Sequence, residues 1–220
     1  MNDWNFPRES REVLLPLEVK PAEGYLEILP NGHEAVVFGD PKSATEGFHQ
    51  QGDNPFGMQG TCGLVSVEDV LRQLGYQVTE TDLVSYAVRN QLCTIEGTPD
   101  VQGGTTQIDQ ARILNDFGVP AEAKILLNCE DLASYIEAGE KVIVGVNGGV
   151  LWNVPEAFEF GQANHAVTVT GVARNPQTAD LLGFFINDSG SGEAGRFVDL
   201  NTWQWSWENR GGLGIVTNLA

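Results

Sequence analysis

The hydrophobic period of this chain changes near Gly139, and that change limits the folds open to it. Before it, apolar residues recur at helical spacing; after it they fall in β-branched and aromatic runs. Leu64, Val67, Val70, Leu71 and Leu74 obey the i, i+3, i+4, i+7 rule, which predicts a helix starting at Cys62 and stopped by Gly75. Thr79 and Asp82 at capping-box spacing predict a second helix to about Leu92, Thr105/Thr106 open a third to Phe117, and Asn128 a fourth to Gly139. The runs 141–146, 165–172, 181–186 and 213–217 then read as strands, divided by turns such as Asn147-Gly148-Gly149 and Arg174-Asn175-Pro176. Helices first and strands afterwards, with connections too short for helical crossovers, predict an α+β fold with an antiparallel sheet.

Upstream, two extended runs, 25–29 and 34–38, flank Pro30-Asn31-Gly32, a strong β-hairpin signal. Residues 1–24 read as an arm with at most one edge strand. We therefore divide the chain into an N-terminal arm and hairpin, 1–49, and a main domain, 50–220, together one compact unit. Residues 39–61, with Pro41, Pro55 and several glycines among polar residues, are expected to form a long loop, a class of segment often tied to function.

That loop ends in Gly60-Thr61-Cys62-Gly63, which sets a cysteine at the first turn of a helix. The unpaired N–H groups and positive dipole end there favour thiolate over thiol, and the thiolate is the nucleophile. A nucleophilic cysteine needs a base, and the base needs a group that orients it. Of the three histidines, His33, His49 and His165, only His165 opens a well-formed strand. The next strand ends in Asn187-Asp188-Ser189, so Asp188, with Asn187 as its alternative, is expected to face the imidazole Nδ1. His33 and His49 are read as surface residues, His49 in reserve as a base, and Cys93 and Cys129 as structural. Trp203, Trp205 and Trp207 would point one way along an extended segment; packing is preferred to an aromatic subsite for them, as for Trp152.

A cysteine opening a helix, His-Ala-Val opening a strand and Asp at the end of the next resembles the papain-like cysteine peptidases. Among them, the bacteriocin leader-processing peptidases and bacterial papain-fold toxins are the most similar. The resemblance covers roughly residues 50–217. It implies a helical lobe carrying Cys62, a sheet lobe carrying His165 and Asp188, and a substrate cleft between them. It also implies a glutamine about six residues before the cysteine as an oxyanion donor. Position 56 is Phe, so Gln59, Gln51 and Gln50 are the candidates, beside the Cys62 backbone N–H. The expected chemistry is hydrolysis of a peptide amide, in a toxin or effector setting. Two alternatives stay open: a glutamine deamidase or transglutaminase-like amidase with the same triad, and an inactive acidic binding module.

Composition narrows the partners. With 12 Lys and Arg against 30 Asp and Glu, the net charge is −18, which disfavours nucleic acid and anionic membranes and favours a basic protein or peptide partner. Three cysteines without Cys-x-x-Cys, and dispersed histidines, argue for a reducing compartment with no metal and no cofactor. The N-terminus lacks a signal-peptide pattern, so synthesis in the cytoplasm is expected, with export by another route left open.

Overall fold

A computed structural model describes residues 20–219. The predicted hairpin forms as β1 (Tyr25–Ile28) and β2 (Glu34–Gly39). After the long loop come α1 (Cys62–Gln73), α2 (Glu80–Asn90) and α3 (Gln107–Asp116). Then follow β3 (Ala121–Lys124), α4 (Cys129–Glu137), β4 (Val142–Val146) and the one-turn α5 (Gly148–Leu151). The chain closes with β5 (His165–Arg174), β6 (Leu181–Asp188), β7 (Glu193–Asp199), α6 (Leu200–Ser206) and β8 (Leu213–Thr217).

Local chemistry sets most of these boundaries. Thr79 with Asp82, Thr106 with Asp109 and Asn128 with Asp131 each form a complete capping box. α1 stops where Gly75 takes φ +88°, a left-handed conformation that costs glycine little. Most of the 1–24 arm lies outside the described residues.

Among the described residues, all eight strands form one antiparallel sheet. The ten-residue β5 is its spine: its first half pairs with β4, its second half with β2, and β6 pairs with it from Thr168 to Arg174. The hairpin is thereby part of the same sheet as the main domain.

Both faces of the sheet centre are covered, which explains the uninterrupted apolar run of β4. Val142, Val144 and Val146 join Val167, Val169, Phe184, Ile186, Trp203 and Trp207 in a core under α4 and α6. Ile143, Ala166 and Ile215 face the opposite core, built by α1, α2 and α3. The 201–207 segment is helical to Ser206, with Trp207 at the C-cap, rather than extended. At i, i+4 spacing Trp203 and Trp207 are both fully buried, while Trp205 is 54% exposed, so the three indoles do not share a face. β3 and β7 were not foreseen. β3 is a four-residue edge strand, and β7 carries glycine and charge at half-buried positions.

Candidate active site

Cys62 is the first residue of α1, preceded by Thr61 at the N-cap, and is half-buried. Gly63 makes this placement possible, because a Cβ there would run into Thr105 Oγ1 and Gln110 Nε2. The helix lies against β5, where Thr168 Oγ1 donates to Ser66 O at 3.4 Å, and this brings Cys62 to the N-terminal end of that strand. His165 opens β5 and Asp188 ends β6, both buried.

His165 Nε2 lies 2.7 Å from Asp188 Oδ1, and the imidazole and Cys62 are near enough for each to shift the other's titration. The ring nitrogen facing the carboxylate is thus Nε2 rather than the expected Nδ1, which leaves Nδ1 for the thiol. Asp188 is further held by Gly190 N–H at 3.0 Å, Ser191 N–H at 3.3 Å and the Trp152 indole N–H at 2.7 Å to Oδ2. Trp152 also packs its ring 4.9 Å from that of His165. Gly190 is required there, since a Cβ would approach His165 Cε1 to 2.8 Å and Trp152 Cζ2 to 2.9 Å.

The charges follow from these contacts. Burial opposes ionisation of Cys62, yet the hydrogen bond and charge of His165, with the N–H groups of Ala166 and Gly63, hold its pKa below the ordinary thiol value. Burial likewise works against the imidazolium, but Asp188 and Cys62 overcome it and push His165 up to about 9. Asp188, despite burial, is held down to about 2 by His165, Trp152 and Ser191. Both shifts act in the same sense, towards a thiolate beside an imidazolium rather than the neutral pair. Cys129 is the opposite case: burial and Glu208 push its thiol up to about 12, and burial raises Cys93 as well.

The other candidates are placed elsewhere. Asn187 points away from His165, because successive strand residues face opposite sides. Its Nδ2 donates to Ala44 O at 2.7 Å and to Asp69 Oδ2 at 2.9 Å, tying β6 to α1. Gln59 lies with its amide against Gly52, and its backbone N–H donates to Pro99 O at 2.7 Å. Gln51 spans Ser189 Oγ at 3.0 Å and Gln59 O at 2.6 Å, and Gln50 Nε2 reaches Gly190 O at 3.4 Å. These three side chains brace the loop and the turn after Asp188. His33 is exposed, as expected. His49 is not a surface residue in the simple sense: only 26% of its side chain is exposed, and its Nε2 lies 3.1 Å from Glu80 Oε2. Trp152 and Glu80 were missed as parts of the site. The only sequence signal for Trp152 was its position shortly before His165, and Glu80 read as an ordinary acidic residue of a helix first turn. Among the described residues no metal-ligating cluster of His, Cys, Asp or Glu occurs, and no helix is long and apolar enough to cross a membrane.

A helix-borne cysteine set against a strand-borne histidine, with the sheet and helices in this arrangement, is a papain-like architecture. A proposed C39-like peptidase from Bacillus anthracis has a similar solved structure, with TM-score 0.56 and 14% identity over 80% of this chain and 95% of that one. Uncharacterized proteins of Mycobacterium tuberculosis and Mycobacterium bovis are 26% identical over 180 residues, covering 71% of this chain and 73% of theirs. The Peptidase_C39 like family model matches residues 46–215, and the chain belongs to that family.

Proposed function

We propose that this protein is a cysteine peptidase that cleaves a peptide amide through Cys62, His165 and Asp188. The observation that carries this reading is the single buried imidazole held 2.7 Å from Asp188 while it and Cys62, at the start of α1, shift each other's titration. The Cys62 thiolate attacks the amide carbonyl carbon and forms a tetrahedral oxyanion. His165 gives its proton to the leaving amine as the C–N bond breaks, which leaves a thioester on Cys62. Neutral His165 then takes a proton from water, whose oxygen attacks the thioester, and the carboxylic product departs as the thiolate returns. Asp188 remains charged throughout and orients the ring. The Cys62 backbone N–H, at the helix start, is the proposed donor to the oxyanion.

The acidity of the molecule favours a substrate segment carrying Lys or Arg. The test is intact mass spectrometry of peptides incubated with the wild-type protein and with Cys62→Ala. Cleavage gives two fragments whose masses sum to the substrate plus one water, and Cys62→Ala gives none. A mass gain of about one dalton without fragmentation would instead mark a glutamine deamidase, since amide-to-acid conversion uses the same thioester chemistry. Turnover retained by Cys62→Ala would refute the reading.

A further inference from the structure

Glu80 is buried to 1% exposure, begins α2 and is used by no step above. Its carboxylate is nevertheless the most heavily hydrogen-bonded side chain near the nucleophile. It accepts from Gly52 N–H at 3.0 and 3.1 Å, Asp53 N–H at 2.9 Å, Asn54 Nδ2 at 2.9 Å and Thr61 Oγ1 at 2.6 Å, with His49 Nε2 at 3.1 Å. Every one of these donors belongs to the loop that runs into Cys62, and Thr61 is its immediate neighbour. A buried carboxylate is costly unless its lone pairs are satisfied, and here the loop itself satisfies them.

The same loop reaches the other half of the site. Gln51, adjacent to Gly52, receives the Ser189 hydroxyl at 3.0 Å on its Oε1 and donates its own N–H to Ser189 O at 3.1 Å. Ser189 follows Asp188 directly. A short path therefore runs from Cys62 through Thr61, Glu80, Gly52 and Gln51 to Ser189 and Asp188, made of hydrogen bonds and peptide bonds. Cys62 sits on a helix and Asp188 on the sheet, and this path fixes the one relative to the other.

We infer that Glu80 is a positioning residue of the active site. It holds the 49–61 loop so that Cys62 meets His165 while the turn after Asp188 stays in place. The inference rests on the triad proposed above. Glu80 acts through Thr61 and Gln51 and has no contact with the reacting atoms. Beside its carboxylate lies His49, which faces Glu68 at 3.7 Å, and Glu68 in turn is 3.3 Å from Arg72.

Thr61 allows a decisive pair of substitutions. Its hydroxyl bonds Glu80, while its methyl packs against Gly103, where a Cβ would come within 2.5 Å of Thr61 Cγ2. Thr61→Val keeps the shape and removes the bond; Thr61→Ser keeps the bond and removes the methyl. The readout is the rate of Cys62 alkylation by iodoacetamide as a function of pH, with folding checked by circular dichroism. In Thr61→Val and Glu80→Gln the midpoint should rise by about one pH unit, an approximately tenfold slower reaction below the midpoint, while Thr61→Ser keeps the wild-type profile. Against a cleaved peptide, the first two should lower kcat more than they raise KM.

A purely packing role for Thr61 predicts the reverse order, and that order would overturn the inference. So would an unchanged profile in folded Thr61→Val or Glu80→Gln. Should Glu80→Gln not fold, the Thr61 pair decides alone. A wild-type Cys62 that titrates like an ordinary thiol would instead sink the triad itself, and the positioning role with it.

Discussion

Replacing Asp188 with Asn removes one negative charge beside His165 and keeps an oxygen able to accept the Nε2–H. In the native site the imidazole holds its proton up to about pH 9, against an ordinary value of 6.5. Burial opposes that rise, so the attraction of Asp188 and the Cys62 thiolate exceeds it by about 3 kcal/mol. With the carboxylate neutralised, burial and the thiolate alone set the balance. The imidazolium should lose at least half of this preference, and the thiolate that depends on it should retreat with it. Iodoacetamide alkylation of Cys62, scanned from about pH 5 to about pH 10, should then have its midpoint raised by at least about one unit, with kcat/KM for a cleaved peptide down by about 10- to 100-fold. Stability should follow the same groups. The Asp188 contribution is present above 3.8 and lost as pH falls through about 2; that of His165 is present below 6.5 and lost as pH rises through about 9. Asp188→Asn should accordingly cost more stability at about pH 5–6 than at about pH 10. If His165 in folded Asp188→Asn still titrates near 9 by NMR, and Cys62 is alkylated at the native rate, the electrostatic account of the site is wrong.

Trp152→Phe keeps a ring over His165 but deletes the 2.7 Å N–H bond to Asp188. Hydrogen bonds to charged groups contribute about 1.5–3 kcal/mol, so kcat/KM should fall by about tenfold or more, whereas an unchanged value would reduce Trp152 to a space-filling role. At neutral pH, peptide mapping after brief iodoacetamide treatment should find label on Cys62 long before Cys129, whose thiol is pushed up to about 12, or Cys93. Glu68 is 2% exposed, and burial raises its pKa to about 7 despite His49 and Arg72, so its ionisation opposes folding as pH rises through that value. Glu68→Gln should raise Tm by a few degrees at about pH 8 and change it little at about pH 4, as read by thermal melts. With a net charge of −18, KM for a peptide rich in Lys and Arg should rise with added salt; a salt-independent KM would remove charge from substrate selection.

Helix starts were legible because a capping box is a local device: Thr79 with Asp82 needs nothing beyond three residues of helix. The hairpin at Asn31-Gly32 was legible for the same reason. β3 and β7 escaped because edge strands take their definition from a partner; Ala121–Lys124 alternates only alanine with charge, a short and weak strand signal, and pairs with β8 across the fold. The tryptophan segment misled because indoles at alternate positions satisfy a strand period, while the buried pair, Trp203 and Trp207, also satisfies a helical one.

For the site, the sequence alone determined which residue types stand at which chain positions: a cysteine at a helix start, a histidine opening a strand, an aspartate ending the next. These follow from local propensity and order along the chain. Which imidazole nitrogen meets Asp188, why Asn187 turns away, and how Trp152 and Glu80 join the site were decided only in three dimensions. Each depends on contacts between residues far apart in the chain, such as Trp152 with Asp188 and Thr61 with Glu80. Packing α1 against β5 brings those partners together, and a buried carboxylate then collects whatever donors the fold delivers to it.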